Sequence, residues 1–147
     1  MITIKKILCP VDFSVCSAYA LNYAIDFSMK EQALLYLLYV VEMHADDTGF
    51  IIKQTDISEN SNKTATIKAR LMNLVPGKIR SAINLETMVV QGIPFIEIIK
   101  VARNHQVDLI VLGTHGRTGL RHILIGSVAE RVIQKAPCPV LSIKLPE

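Results

Sequence analysis

Five apolar runs of strand length, each separated from the next by a segment patterned as a helix, restrict what this chain can fold into more than any other feature. The runs are Ile4 to Cys9, Leu34 to Val41, Ile83 to Val90, Leu109 to Leu112 and Val140 to Ile143. The second is apolar without interruption, as a parallel strand covered by helices on both faces should be. The third alternates, with Asn84 and Glu86 between apolar neighbours, which suits a sheet edge. Ser14 is placed to cap a helix reaching about Met29, and Pro94 opens another with a stripe through Phe95, Ile98, Ile99 and Ala102. A further helix is expected from about Ser61 to Leu74, stopping at Pro76 and Gly77. The last starts at Ser127 and ends at Pro137, Cys138 and Pro139. Strand–helix alternation calls for right-handed crossovers, giving an open, mostly parallel α/β sheet with helices on both faces. A length of 147 residues fits one domain. The stretch 42–60 is polar and acidic with one apolar island at Ile51 and Ile52, and reads as a mobile loop or lid.

Composition narrows the function classes. Aromatic residues are 5% of the chain, Trp is absent, and a net charge of +3 is spread without a basic patch, so nucleic-acid binding has no support. No apolar stretch is long enough to cross a bilayer, and the first residues lack the form of a signal peptide, so a cytoplasmic, membrane-free protein is expected. The three cysteines, Cys9, Cys16 and Cys138, make neither a disulfide framework nor a zinc spacing. A mean hydropathy of +0.36 leaves room for oligomerisation.

The chemistry concentrates after the fourth run. In an open parallel sheet, ligands sit beyond the carboxyl ends of the strands, where connections diverge to opposite faces. There the chain reads Gly113, Thr114, His115, Gly116, Arg117, Thr118, Gly119, then Gly126, Ser127 and Val128 at the start of the last helix. Glycines allow sharp turns and close backbone approach, and the first amides of a helix lack internal partners, so the arrangement suits an anion such as phosphate. Hydroxyls of Thr114, Thr118 and Ser127 and the guanidinium of Arg117 are further donors. A purely structural account stands beside this one: Ser127 with Glu130 forms a capping-box pattern, and glycines after a strand often only make a turn. Asp12, just beyond the first run, is placed either to accept from sugar hydroxyls or to stabilise its own turn.

The spacing Gly113-x2-Gly116-x9-Gly126-Ser127 resembles the G-x2-G-x9-G-[S/T] signature of ATP-binding universal stress proteins. The resemblance extends along nearly the whole chain, through Pro10, Val11, Asp12, Phe13 and Ser14, the run ending Val40-Val41, Gly92-Ile93-Pro94, and Pro137 to Val140. It implies a Rossmann-like sheet in the order 3-2-1-4-5 with ATP across the ends of the first and fourth strands. Pro10, Val11 and Asp12 would flank base and ribose, and the backbone of Val40 would bond the adenine edge. Residues 113–117 and 126–128 would surround the phosphates, with Mg²⁺ bridging them. It also implies a homodimer through the last strand, Val140 to Ile143.

No Walker lysine motif and no G-x-G-x-x-G follow the first strand, and His122 lacks the glycine of an adenylyl-transfer motif. His115 is the imidazole nearest the glycines, and no catalytic residue is assigned. A nucleotide-dependent signalling or stress-response module, a weak ATPase or self-phosphorylating enzyme, and a structural dimerisation module with an empty pocket therefore stand as alternatives.

Overall fold

Chain direction along the strands is dictated by where their apolar residues point. Ile7 and Cys9 belong to one buried cluster and Leu8 to the other, so the first strand is buried on both faces and must lie inside the sheet. The computed structural model describes residues 1–45, 51–52, 61–116 and 124–147. In chain order the elements are β1 (Lys6–Pro10), α1 (Val15–Glu31), β2 (Leu34–Glu42), β3 (His44–Ala45), β4 (Ile51–Ile52), α2 (Ser61–Asn73), α3 (Gly77–Arg80), β5 (Asn84–Gly92), α4 (Pro94–Asn104), β6 (Leu109–Gly113), α5 (Ser127–Lys135) and β7 (Val140–Ile143). The five main strands form one parallel sheet in the order β5-β2-β1-β6-β7, the 3-2-1-4-5 order among the five expected strands.

Each face has its own core. On one, Ile7, Leu35, Leu37 and Val111 meet Ala20, Leu21 and Ala24 of α1 and Leu71 of α2. On the other, Leu8, Leu38 and Ile110 meet Ile98, Val101 and Ala102 of α4 and Ala129 and Val132 of α5. Ile7, Leu8, Leu35, Leu37, Leu38 and Ile110 are fully buried, each contributing roughly 1.5–3 kcal/mol through burial.

Local signals account for most boundaries. Ser14 caps α1, its Oγ accepting from Ser17 N at 3.1 Å. Gln32, at φ 53°, closes the helix in the left-handed conformation. Pro94 occupies the first turn of α4, as its missing N–H allows. Gly92 before it has no room for a Cβ, which would lie 2.6 Å from Glu97 Cγ. The expectation of a mobile loop over 42–60 is corrected at its start and at the apolar island. Glu42 closes β2, and His44–Ala45 pairs antiparallel with Ile51–Ile52. The lid reading otherwise concerns 46–50 and 53–60, outside the described residues. The short α3, begun at Pro76, lies just beyond the expected stop.

Candidate functional site

β1 and β6 are neighbours, yet α1 leaves β1 toward one face and α5 follows β6 on the other. Their carboxyl ends are therefore a topological switch point, where diverging connections leave a crevice. The crevice deepens because β2 outruns β1. Pairing between them stops at Pro10 and Leu38, while β2 continues to Glu42 against β5. Leu38 O accepts from Val11 N at 2.8 Å. By strand alternation the amide and carbonyl of Val40, two residues on, face the same side, beyond the end of β1.

Asp12 stands at this end. Its Oδ1 accepts from Ser14 N at 2.9 Å, and Ser17 Oγ accepts from Asp12 N at 3.4 Å while donating to Ser14 O at 3.1 Å. One carboxylate oxygen thus shapes the turn, as the structural account of Asp12 requires. The other faces the glycine segment, where a Cβ on Gly116 would stand 3.0 Å from Oδ2.

The glycines prove to be packing requirements. A Cβ on Gly113 would meet Cys16 Sγ at 2.8 Å and Cys16 O at 3.0 Å, so the end of β6 presses directly on the first turn of α1. A Cβ on Gly126 would lie 3.0 Å from Thr114 O, the carbonyl that accepts from Gly126 N at 2.6 Å. The expected close approach of Gly113 to a ligand stands beside this packing role, since Gly113 also lines the cavity. Together these contacts bring Asp12, Gly116 and the start of α5 side by side.

Gly126, not Ser127, is the N-cap of α5, and no side chain caps it. The capping box with Glu130 is therefore not formed, because Ser127 is already the first helical residue and Glu130 sits one position too far along. The first-turn amides of Ser127, Val128 and Ala129 have no intrahelical acceptor, and these three residues line the crevice. The helix dipole adds to their affinity for an anion, about 0.3–1 kcal/mol.

The cavity so formed measures about 390 Å³, within the range of small-molecule sites. Pro10, Val11, Asp12, Val40, Gly113, Thr114, His115, Gly116, Gly126, Ser127 and Val128, all expected at the site, line it. Arg117, Thr118 and Gly119 lie outside the described residues. Ser17, Glu42, Pro94, Ile98, Leu112 and Ala129 also line it and were not expected. The two α4 residues were treated as a helix opening and a core stripe, and only the crossing of α4 over β2 turns them into a cavity wall. Thr114 is buried, and its Oγ1 shares a hydrogen bond with His115 Nδ1 at 3.0 Å, so that hydroxyl is engaged within the loop rather than held in reserve for a ligand.

Among the described residues no group of three His, Cys, Asp or Glu side chains could hold a metal ion, so these residues build no resident cation site. No helix among them is long and apolar enough to cross a membrane. The surroundings of Cys9 and Cys138 disfavour the thiolate. Burial pushes the Cys9 thiol up to about 12, and burial followed by the Asp108 charge raises that of Cys138.

A sequence profile described as the universal stress protein family matches residues 3–144. The universal stress protein MJ0531 of Methanocaldococcus jannaschii is 36% identical over 149 residues, spanning 97% of this chain and 84% of that protein. The solved structure of MJ0577, from the same organism, superimposes with a TM-score of 0.79 at 34% identity and covers 99% of both chains. Two further structures share the fold at lower identity. A universal stress protein in complex with cAMP gives a TM-score of 0.70 at 19% identity, covering 98% of this chain and 99% of that one. One from Archaeoglobus fulgidus in complex with dAMP gives 0.60 at 22%, covering 98% and 100%.

Proposed function

The chain belongs to the universal stress protein family, and from that premise we propose that it binds ATP as a nucleotide-dependent signalling or stress-response module in the cytoplasm. The observation that carries the reading is that the first-turn residues of α5, Ser127, Val128 and Ala129, whose amides have no acceptor within the helix, line the same cavity as Asp12. The cavity is electrically polar. The start of α5 attracts anions, whereas Asp12, beside Gly116, and Glu42 add carboxylates to the same lining. That polarity orients a nucleotide: phosphates go toward Gly126 and Ser127, ribose hydroxyls toward Asp12, and the base between Val40 and the apolar wall of Pro94 and Ile98. Two proteins of this fold are known with adenine mononucleotides, cAMP in one and dAMP in the other. Mg²⁺ on this reading arrives with the triphosphate, whose oxygens and bound water supply its ligands. The role of Arg117, Thr118 and Gly119 as further phosphate contacts belongs to the same proposal.

Binding is favoured over turnover because the described part of the site presents no lysine and its one imidazole, His115, is tied to Thr114. Single-turnover release of phosphate that disappears in Ser127→Ala would overturn a binding-only role. The test of binding itself uses Ser127→Asp. A carboxylate at the first helical position stabilises α5 through the dipole, by about 0.3–1 kcal/mol, yet repels phosphate. The variant should therefore melt no lower than the parent while losing the rise in Tm that Mg-ATP gives the parent. At ATP a hundredfold above Kd that rise corresponds to about 2.7 kcal/mol. No rise in the parent at millimolar ATP sinks the proposal.

A further inference from the structure

Phe13 has φ 62°, the left-handed region that a bulky aromatic residue occupies only when its surroundings hold it there. Those surroundings come from two elements. The Tyr39 ring of β2 lies 5.0 Å away between centroids, at 37°. Arg70 of α2 places its Cζ 3.9 Å from the Phe13 ring centroid, within cation–π range. The stack therefore joins α2, the β1–α1 turn and β2 through one side chain. It also sits astride the hydrogen bond from Ser14 N to Asp12 Oδ1, at 2.9 Å, whose donor and acceptor residues flank Phe13 in the chain. Here that bond is made with the backbone turning through the left-handed region at Phe13. The same turn leaves Asp12 Oδ2 facing Gly116 and the cavity.

We propose that Phe13 is a positioning residue, held by Arg70 and Tyr39, that aims the Asp12 carboxylate at the sugar hydroxyls of the ligand. Arg70 is the handle by which α2 reaches the site. The ligand half of this proposal rests on the nucleotide reading above; the clamp on the turn does not.

Two readouts separate them. Amide hydrogen exchange at Ser14 in the ligand-free protein reports the turn alone. The ratio of Kd for 2′,3′-dideoxy-ATP to Kd for ATP reports what Asp12 takes from the ribose. In the parent the ratio should be about tenfold, the value of a hydrogen bond to a charged acceptor. Phe13→Leu keeps apolar bulk but loses the ring face, and Arg70→Gln removes the cation from an exposed side chain without threatening the fold. Both should speed Ser14 exchange about tenfold and bring the ratio near one, as Asp12→Ala should. Arg70→Lys and Phe13→Tyr preserve the stacked pair and should restore both readouts, which a general packing defect would not. Should Phe13→Leu fail to fold, Arg70→Gln decides. Unchanged Ser14 exchange in Arg70→Gln overturns the clamp, and faster exchange with an unchanged ratio overturns its role in positioning. If the parent binds no ATP the nucleotide reading fails, and Ser14 exchange alone judges the clamp.

Discussion

Gly113 shows how a residue expected for one role carries another as well. Its missing Cβ makes room for Cys16, whose Sγ and carbonyl would lie 2.8 and 3.0 Å from it. Gly113→Ala should therefore destabilise the fold by about 1–3 kcal/mol, as overpacking does. Adding Cys16→Ala should return part of the loss by removing the sulfur while leaving the carbonyl. Urea denaturation of the four proteins in the cycle measures the coupling, and strict additivity would reject the contact. Cys9 carries a second prediction at this scale. Its thiol is held neutral when folded up to about 12, against 9.0 when unburied. Below pH 9 both states are protonated and the full stability is present. Above it the unfolded chain loses a proton that the folded chain keeps, so stability falls as pH rises toward 12. The slope approaches about 1.4 kcal/mol per pH unit. Cys9→Ala should show a shallower decline between pH 9 and 11 in urea midpoints, whatever its cost at neutral pH. Parallel slopes would contradict the burial argument. The Gly113–Cys16 contact was invisible in the sequence because it depends on which element lies opposite. The turn role of Asp12 was visible, because its partner, Ser14, is two residues away.

At the scale of elements, periodicity was informative wherever an element is buried along its length. Continuous apolarity marked β2, and the alternation through Asn84 and Glu86 marked β5 as an edge, where the sheet puts it. What escaped was short or set by tertiary contact. β3, β4 and α3 are too brief for any period to register; α5 starts at Ser127 as expected, but its cap shifts from Ser127 to Gly126, whose N–H bonds Thr114 O. That shift matters, since it leaves the Ser127 hydroxyl free of capping duty and three amides open to the cavity. Gly92 gives an element-level prediction. A Cβ there would strike the Glu97 side chain at 2.6 Å, and φ is 158°. Gly92→Ala should cost about 1–3 kcal/mol in chemical denaturation and disturb the entry to α4. Its effect on ATP affinity should pass through Pro94, whose place in the cavity wall depends on that entry.

For the whole molecule, the proposed homodimer turns on β7, which pairs with β6 alone. Ile110 N donates to Pro139 O and Thr114 N to Ile143 O, so the odd-numbered positions of β7 face β6. By alternation Val140 and Ser142 turn their backbone groups outward, an unpaired edge of the kind a second copy can complete. Ser142→Pro removes an outward donor without touching the β6 ladder. It should convert a dimer into a monomer by light scattering while leaving ATP-induced stabilisation in place. A monomeric parent would reject the interface.

The central position of β1 has a consequence in time. Its partners on one side arrive early, in β2, but those on the other are supplied by β6, and the bonds from Lys5 N and Lys6 N to Asp108 span 103 and 102 residues. During synthesis at about 5–20 residues per second, one flank of this central strand waits roughly 5–20 s for its neighbour. Until then Ile7, Leu8 and Cys9, buried in the finished protein, lie along an open edge. A ribosome-bound chain ending before β6 should thus be held by chaperones that recognise extended apolar segments, and released once β6 emerges.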